Sequence, residues 1–122
     1  MTNAFRDQEK FMKACDQSVD KWNVEQFNMY VDLIDEEVGE LKEAIAASDT
    51  KEILDALEDI VVVTIGAMHS AGFDGEGAWK EVMSTNFAKI DKETGKVRKR
   101  EDGKVLKPLG WTAPELTPFL SK

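Results

Sequence analysis

A chain of 122 residues can build one hydrophobic core but not two, so residues 1–122 are read as a single domain. The net charge of −8 argues against a general binder of nucleic-acid polymers, whose phosphate affinity draws on excess Lys and Arg. The single cysteine, Cys15, excludes an intrachain disulfide, and no apolar run approaches the roughly 18 residues that span a membrane. A cytoplasmic protein fits best. The opening MTNAFRDQEKFMK lacks the apolar stretch of a secretory signal, so the mature chain is expected to begin at or near Met1.

The first predicted element is an amphipathic helix over residues 4–18, with Phe5, Phe11, Met12, Cys15 and Val19 loosely periodic. Cys15 is expected to act as a small buried apolar residue. Asn23 is a plausible N-cap for a second helix, in which Phe27, Tyr30, Val31, Ile34, Val38, Leu41 and Ile45 recur at helical spacing. Gly39 interrupts it at a cost of about 1 kcal/mol relative to Ala, which is easier to understand if a neighbouring backbone or ligand approaches there. Ser48 or Asp49 caps a third helix, about 50–71, with Asp49 and Glu52 at capping-box spacing and Gly72 as its stop. The β-branched run IVVVTI favours a strand by propensity, but length and the flanking pattern favour helix. Its second half is apolar nearly all round and is expected to be surrounded by other helices, of this chain or of a partner. Asp74 can cap a fourth helix to about residue 89.

Beyond this helical body of about 4–90 the pattern changes. Residues 1–88 carry 19 acidic and 7 basic side chains, whereas residues 89–107 carry 4 and 8, a basic flap on an acidic body. Thr-Gly and Asp-Gly pairs signal turns, and a short hairpin near 95–106 is expected within a C-terminal arm of about 91–122. Leu109, Trp111, Leu116, Phe119 and Leu120 give the arm enough apolar surface to dock. The predicted fold is therefore all-α, a bundle of about four helices completed by oligomerisation, with a short irregular or hairpin-containing arm.

The chemistry is expected from carboxylates. Glu36, Glu37 and Glu40 fall on one short arc of the second helix, where like charges three and four apart destabilise it. Charge runs ordinarily lie on solvated faces, but the third helix repeats the device. Asp55 and Asp59 are again four apart, and Asp59 enters the apolar IVVV run, where an unpaired charge is costly. No Lys or Arg lies between Lys51 and Lys80 to neutralise it. A hard divalent cation with oxygen ligands can, and Mg²⁺ is characteristically held by a few carboxylates, waters and substrate phosphates.

The motif E-E-x-x-E at Glu36, Glu37 and Glu40, followed by D-x-x-x-D at Asp55 and Asp59, resembles the all-α nucleoside triphosphate pyrophosphohydrolases, which include MazG-like enzymes, dimeric dUTPases and phosphoribosyl-ATP pyrophosphohydrolases. The segments STNFAKID and KREDGKVLK extend the resemblance, which covers residues 24 to about 118. Many members carry E-x-x-D in the second motif. Here the position three before Asp59 is Ala56, so the acidic role passes to Asp55, with Glu58 a weaker candidate.

The resemblance implies Mg²⁺-dependent hydrolysis of a (deoxy)nucleoside triphosphate between the α and β phosphates, for nucleotide-pool control or sanitation, with Mn²⁺ able to substitute. It assigns metal ligation to Glu37, Glu40, Asp55 and Asp59, and makes Glu36 the candidate general base; an outer carboxylate is the plainer reading of Glu36. Asn86 and Lys89 resemble residues that meet phosphate or sugar, and Arg98, Lys99, Arg100, Lys104 and Lys107 form the basic flap, with Arg100 and Lys104 its foremost candidates, against the reading that flap charges only keep a turn soluble. Tyr30, with Trp22 and Phe27, is placed to stack on a base, although Phe27 fits the apolar stripe of the core. His69 is expected to be structural or interfacial. The resemblance also implies a homodimer or homotetramer. Two alternatives stay open: phosphoribosyl-ATP pyrophosphohydrolase activity in histidine synthesis, and a noncatalytic helical module held together by metal.

Overall fold

The computed structural model describes residues 3–122. It is all-α, with α1 (Ala4–Ala14), α2 (Val24–Ala46), α3 (Thr50–Ser70) and α4 (Gly75–Phe87), followed by a 3₁₀ turn at Thr117–Phe119. No described helix is long and apolar enough to cross a membrane. Two compact units are formed, one from the residues up to Gly75 together with Leu120–Lys122, the other from Glu76–Phe119.

In the first unit the helix starts follow local chemistry. Asn3, Asn23 and Asp49 each accept a hydrogen bond from the backbone N–H three residues on, at 2.9, 3.1 and 3.1 Å, which satisfies an otherwise orphaned donor of each first turn. Of the two candidate caps for α3, Asp49 fills the role, while Ser48 takes a left-handed conformation with φ 53°. The end of α1 departs from expectation, because the helix stops at Ala14 rather than near residue 18. Asp16 adopts φ 58°, which Asp tolerates better than most residues, and Gln17 N–H then bonds Met12 O at 2.9 Å. The reversal carries Val19 into the core, and Cys15, left at the cap, is exposed rather than buried.

The core of this unit joins Met12, Val19, Tyr30, Val63 and Ala67, with Phe27, Leu33 and Ile34 packed against it. The run IVVVTI is helical, so burial and length override its strand propensity. Its apolar surface is only partly covered by this chain: Val63, Ile65 and Ala67 are buried, whereas Leu54, Leu57, Val61 and Val62 are exposed.

Helices α2 and α3 run antiparallel in one register. Gln26 Nε2 donates to Ser70 Oγ at 2.8 Å, Tyr30 lies on Gly66, and further along the pair Glu37 meets the charge of Asp59. The near end is a polar knot. Ser70 is wholly buried and donates to Gly66 O at 2.7 Å, and Gln26 also donates to Ser18 O at 2.7 Å. Sequence reading missed Gln26, Gly66 and Ser70, since their roles depend on partners distant in the chain. A Cβ on Gly66 would meet Tyr30 Cδ1 at 2.6 Å, and the ring cannot yield because Tyr30 OH donates to Gln17 Oε1 at 2.5 Å. Overpacking of this kind costs about 1–3 kcal/mol, partly offset by a helix-propensity gain of about 1 kcal/mol. Gly66→Ala is therefore expected to lower the urea midpoint at unchanged slope, and an unchanged midpoint would refute the close packing.

His69 is structural. Its Nε2–H donates to Phe5 O at 2.8 Å and its Nδ1 faces Lys122 Nζ at 2.9 Å, an arrangement that requires the neutral ring. Burial, with the Lys122 charge, holds its pKa below the ordinary imidazole value. Lys122 Nζ also donates to Val19 O and to Glu9, 3.2 Å away, so its three protons fasten the C-terminal residues to this unit.

In the second unit α4 is followed by two tight turns. Ile90 pairs with Val97 across Gly95, and Lys99 with Val105 across Gly103, both glycines having positive φ, as the Thr-Gly and Asp-Gly pairs predicted. The arm then returns to α4, where Trp111 Nε1–H donates to Thr85 O at 2.7 Å and Glu115 N–H donates to Glu81 at 2.8 Å. Leu109, expected to dock, is instead fully exposed at the turn before Gly110, whose φ is 80°.

Candidate metal and nucleotide site

α2 carries Glu36, Glu37 and Glu40, and α3 carries Asp55 and Asp59 across the shared register. Glu37 lies at the centre. Its Oε2 is withdrawn from solvent and has no hydrogen-bond partner among the described residues. Burial pushes its pKa up to about 7, helped by a carboxyl–carboxyl hydrogen bond with Glu40 and by the charges of Glu40, Asp59 and Asp55. Asp59 is likewise held above the ordinary aspartate value by burial and then by Asp55, Glu40 and Glu58. The structure thus brings four of the five expected acids into one electrostatic group, with Glu58 at its edge. Glu36 is exposed beside it. Ala56, the position three before Asp59, is buried with 3% of its surface exposed, an environment that suits a small apolar residue.

Among the described residues no Lys or Arg forms an ion pair with any of these carboxylates. Nor do three acidic, imidazole or thiol groups already stand at metal-holding distance among the described residues. Glu40 and Asp55 are exposed, and their charges act on the carboxyl group of Glu37. The donor set is all oxygen and anionic, and it fits a hard divalent cation better than a soft one.

Gly39 does not serve the close contact expected of it. Apart from its chain neighbours and the adjacent backbone of its own helix, a Cβ there would meet no atom of the described residues within 4 Å. Gly39→Ala is expected to raise the stability of the isolated chain by about 1 kcal/mol through helix propensity. Destabilisation in a denaturant melt would show that something outside the chain does approach.

Tyr30 is placed differently from the expectation that it meets a base. Its ring is buried in the core against Gly66, its hydroxyl is committed to Gln17, and burial raises its pKa. A polar-tipped aromatic at helical spacing suits either role, and the absent side chain at Gly66 decides for packing. Trp22 is the aromatic that stays open: it is 57% exposed, with Phe27 at 4.9 Å and Phe73 at 6.4 Å between ring centres.

The second unit holds the expected cationic residues. Lys89 Nζ donates to Asn86 Oδ1 at 3.2 Å and lies 4.9 Å from the Trp111 ring centre. Arg100 is committed locally, its guanidinium gripping Asp102 at 2.6 and 3.2 Å and holding that carboxyl below the usual range. Lys104 enters the same turn through its backbone, its carbonyl accepting from Arg100 N–H at 2.8 Å, and its side chain is exposed. Trp111, which sequence reading assigned only to docking, gathers two cations, since Lys107 Nζ also lies 4.9 Å from its ring centre.

Comparison with known proteins found two similarities. An uncharacterised protein of Acanthamoeba polyphaga mimivirus is 35% identical over 72 residues, which cover 57% of this chain and 29% of the viral protein. The chain thus spans less than a third of the length of that curated relative. A family profile described as phosphoribosyl-ATP pyrophosphohydrolase matches residues 6–86, which include both acidic motifs and the α2–α3 register between them. The chain therefore belongs to the phosphoribosyl-ATP pyrophosphohydrolase family.

Proposed function

We propose that this chain is a Mg²⁺-dependent pyrophosphohydrolase that cleaves a (deoxy)nucleoside triphosphate between its α and β phosphates, releasing the monophosphate and pyrophosphate. The observation that carries the reading is the shielded Glu37 oxygen, unpartnered among carboxylates that raise its pKa and with no cation paired to them. A buried anionic group of this kind is stabilised by a divalent ion, and the same ion suits a polyanionic substrate.

Glu37, Glu40, Asp55 and Asp59 are the residues that would hold Mg²⁺, with Mn²⁺ a substitute. When bound, such an ion supplies positive charge to phosphate oxygens and increases the acidity of a water. Glu36 is exposed, as a base that meets substrate water must be. In the proposed step it takes a proton as the water oxygen bonds to phosphorus, while the bridging P–O bond breaks and its electron pair stays on the departing phosphate oxygen. Lys89 and Asn86 would orient phosphate or sugar, with Lys104, and Arg100 if it releases Asp102. The exposed Leu54, Leu57, Val61 and Val62 on α3 support association into a homodimer or homotetramer.

The family match favours one second reading, in which phosphoribosyl-ATP is the substrate. Both readings are tested by pyrophosphate release across a nucleotide panel that includes phosphoribosyl-ATP, with Mg²⁺ and with chelator. Release from triphosphates supports the first reading and release from phosphoribosyl-ATP alone supports the second. No release from any substrate would leave a noncatalytic, metal-stabilised module.

A further inference from the structure

The basic flap contains a more specific feature than excess charge. Lys89 and Lys107 come from different segments, yet each ammonium lies 4.9 Å from the centre of the Trp111 ring. The ring is held in place, because its Nε1–H donates to Thr85 O at 2.7 Å. The two cations are therefore confined within about 10 Å of each other around one indole ring. Among the described residues neither ammonium is ion-paired with a carboxylate.

A third cation borders the same place. Lys89 and Arg98 line a recess of about 140 Å³, whose rim includes Leu106 and Pro108 on either side of Lys107. The one acid in the lining, Asp91, is already engaged, with its Oδ1 accepting from the backbone N–H of Glu93 at 2.8 Å and of Thr94 at 3.2 Å. Lys89 and Arg98 thus line a small recess whose wall includes both chain neighbours of Lys107, and the carboxylate in that lining is turned to a structural task.

We infer that Lys107, gathered with Lys89 on the Trp111 indole beside the Arg98 recess, forms a binding site for the phosphate chain of a nucleotide. An oxyanion seated there accepts charge-assisted hydrogen bonds from the ammonium groups. Trp111 acts as a positioning residue, which holds both cations ready without contacting the phosphates. The inference rests on the hydrolase reading only for the identity of the anion.

The test is titration of the full chain with inorganic tripolyphosphate, in chelator, followed by calorimetry and by tryptophan emission. Saturable binding is expected, with an emission change as the ammonium groups shift from the ring to the anion. Lys107→Gln should weaken binding about tenfold, the loss of one charge-assisted hydrogen bond, and Lys107→Arg should restore most of it. Trp111→Phe should abolish the emission change. The inference is overturned if the wild type does not bind, if Lys107→Gln binds as the wild type does, or if the emission change survives in Trp111→Phe. Since metal is chelated throughout, the titration reads this site whether or not any nucleotide is hydrolysed. Failure of the hydrolase reading would appear separately, in the nucleotide panel.

Discussion

Glu36→Gln is expected to lower the turnover number by about 10²–10⁴-fold, the usual contribution of a positioned general base, while leaving Mg²⁺ affinity within a few-fold of wild type. The amide keeps the size of the side chain and loses only the ability to take a proton. Structurally the change is mild, because Glu36 is exposed and lies outside the group that shifts Glu37. The decisive comparison is between steady-state turnover and a metal titration followed by thermal unfolding. Retained turnover would remove Glu36 from the reaction, and a parallel collapse of Mg²⁺ affinity would make it a ligand instead.

Glu37→Gln should have the opposite character, with lost function and a more stable metal-free fold. Glu37 has its folded pKa raised to about 7 from an ordinary 4.5, so the folded protein binds more protons than the unfolded chain between those values. Stability falls with rising pH wherever the folded state holds the extra proton. The contribution of Glu37 is therefore present below about pH 4.5 and is lost as pH rises through about 7. Asp59, also raised, acts in the same direction. His69 acts in the opposite direction, because its pKa is lowered and its contribution is lost as pH falls, but it is common to both proteins. In chelator the melting temperature of Glu37→Gln should exceed that of wild type by a margin that widens from pH 5 to pH 8. Added Mg²⁺ should then stabilise the wild type and not the variant, and hydrolysis by the variant should be undetectable. A margin independent of pH, or equal stabilisation of both proteins by Mg²⁺, would remove Glu37 from the metal site.

The legible parts of this protein were those settled by neighbours in sequence. Asn23 and Asp49 cap their helices because capping is a three-residue affair, and the carboxylates fall on facing helices because spacings of three and four fix their direction. The two glycine turns after α4 belong to the same class. What could not be read depended on contacts between distant residues. Tyr30 is a core residue because Gly66, 36 positions later, leaves room for its ring. α1 stops early at a left-handed Asp16, and the reversal that follows brings Val19 to core partners distant in the chain. Trp111 carried no signal beyond its bulk, since its pairing with Lys89 requires a chain reversal.

The alignment of α2 with α3 has a consequence for how damage to this protein would present itself. Gln26 with Ser70 and Tyr30 with Gly66 act as index marks, and the acids several turns away inherit their spacing from them. A small slip at the marks is therefore transmitted along two stiff rods to the carboxylates, where the proposed ligation would tolerate little misplacement. Substitutions at Gly66 or Ser70 that spare overall helicity should thus first be noticed as poor cation affinity, and a screen scoring activity alone would mistake them for active-site lesions.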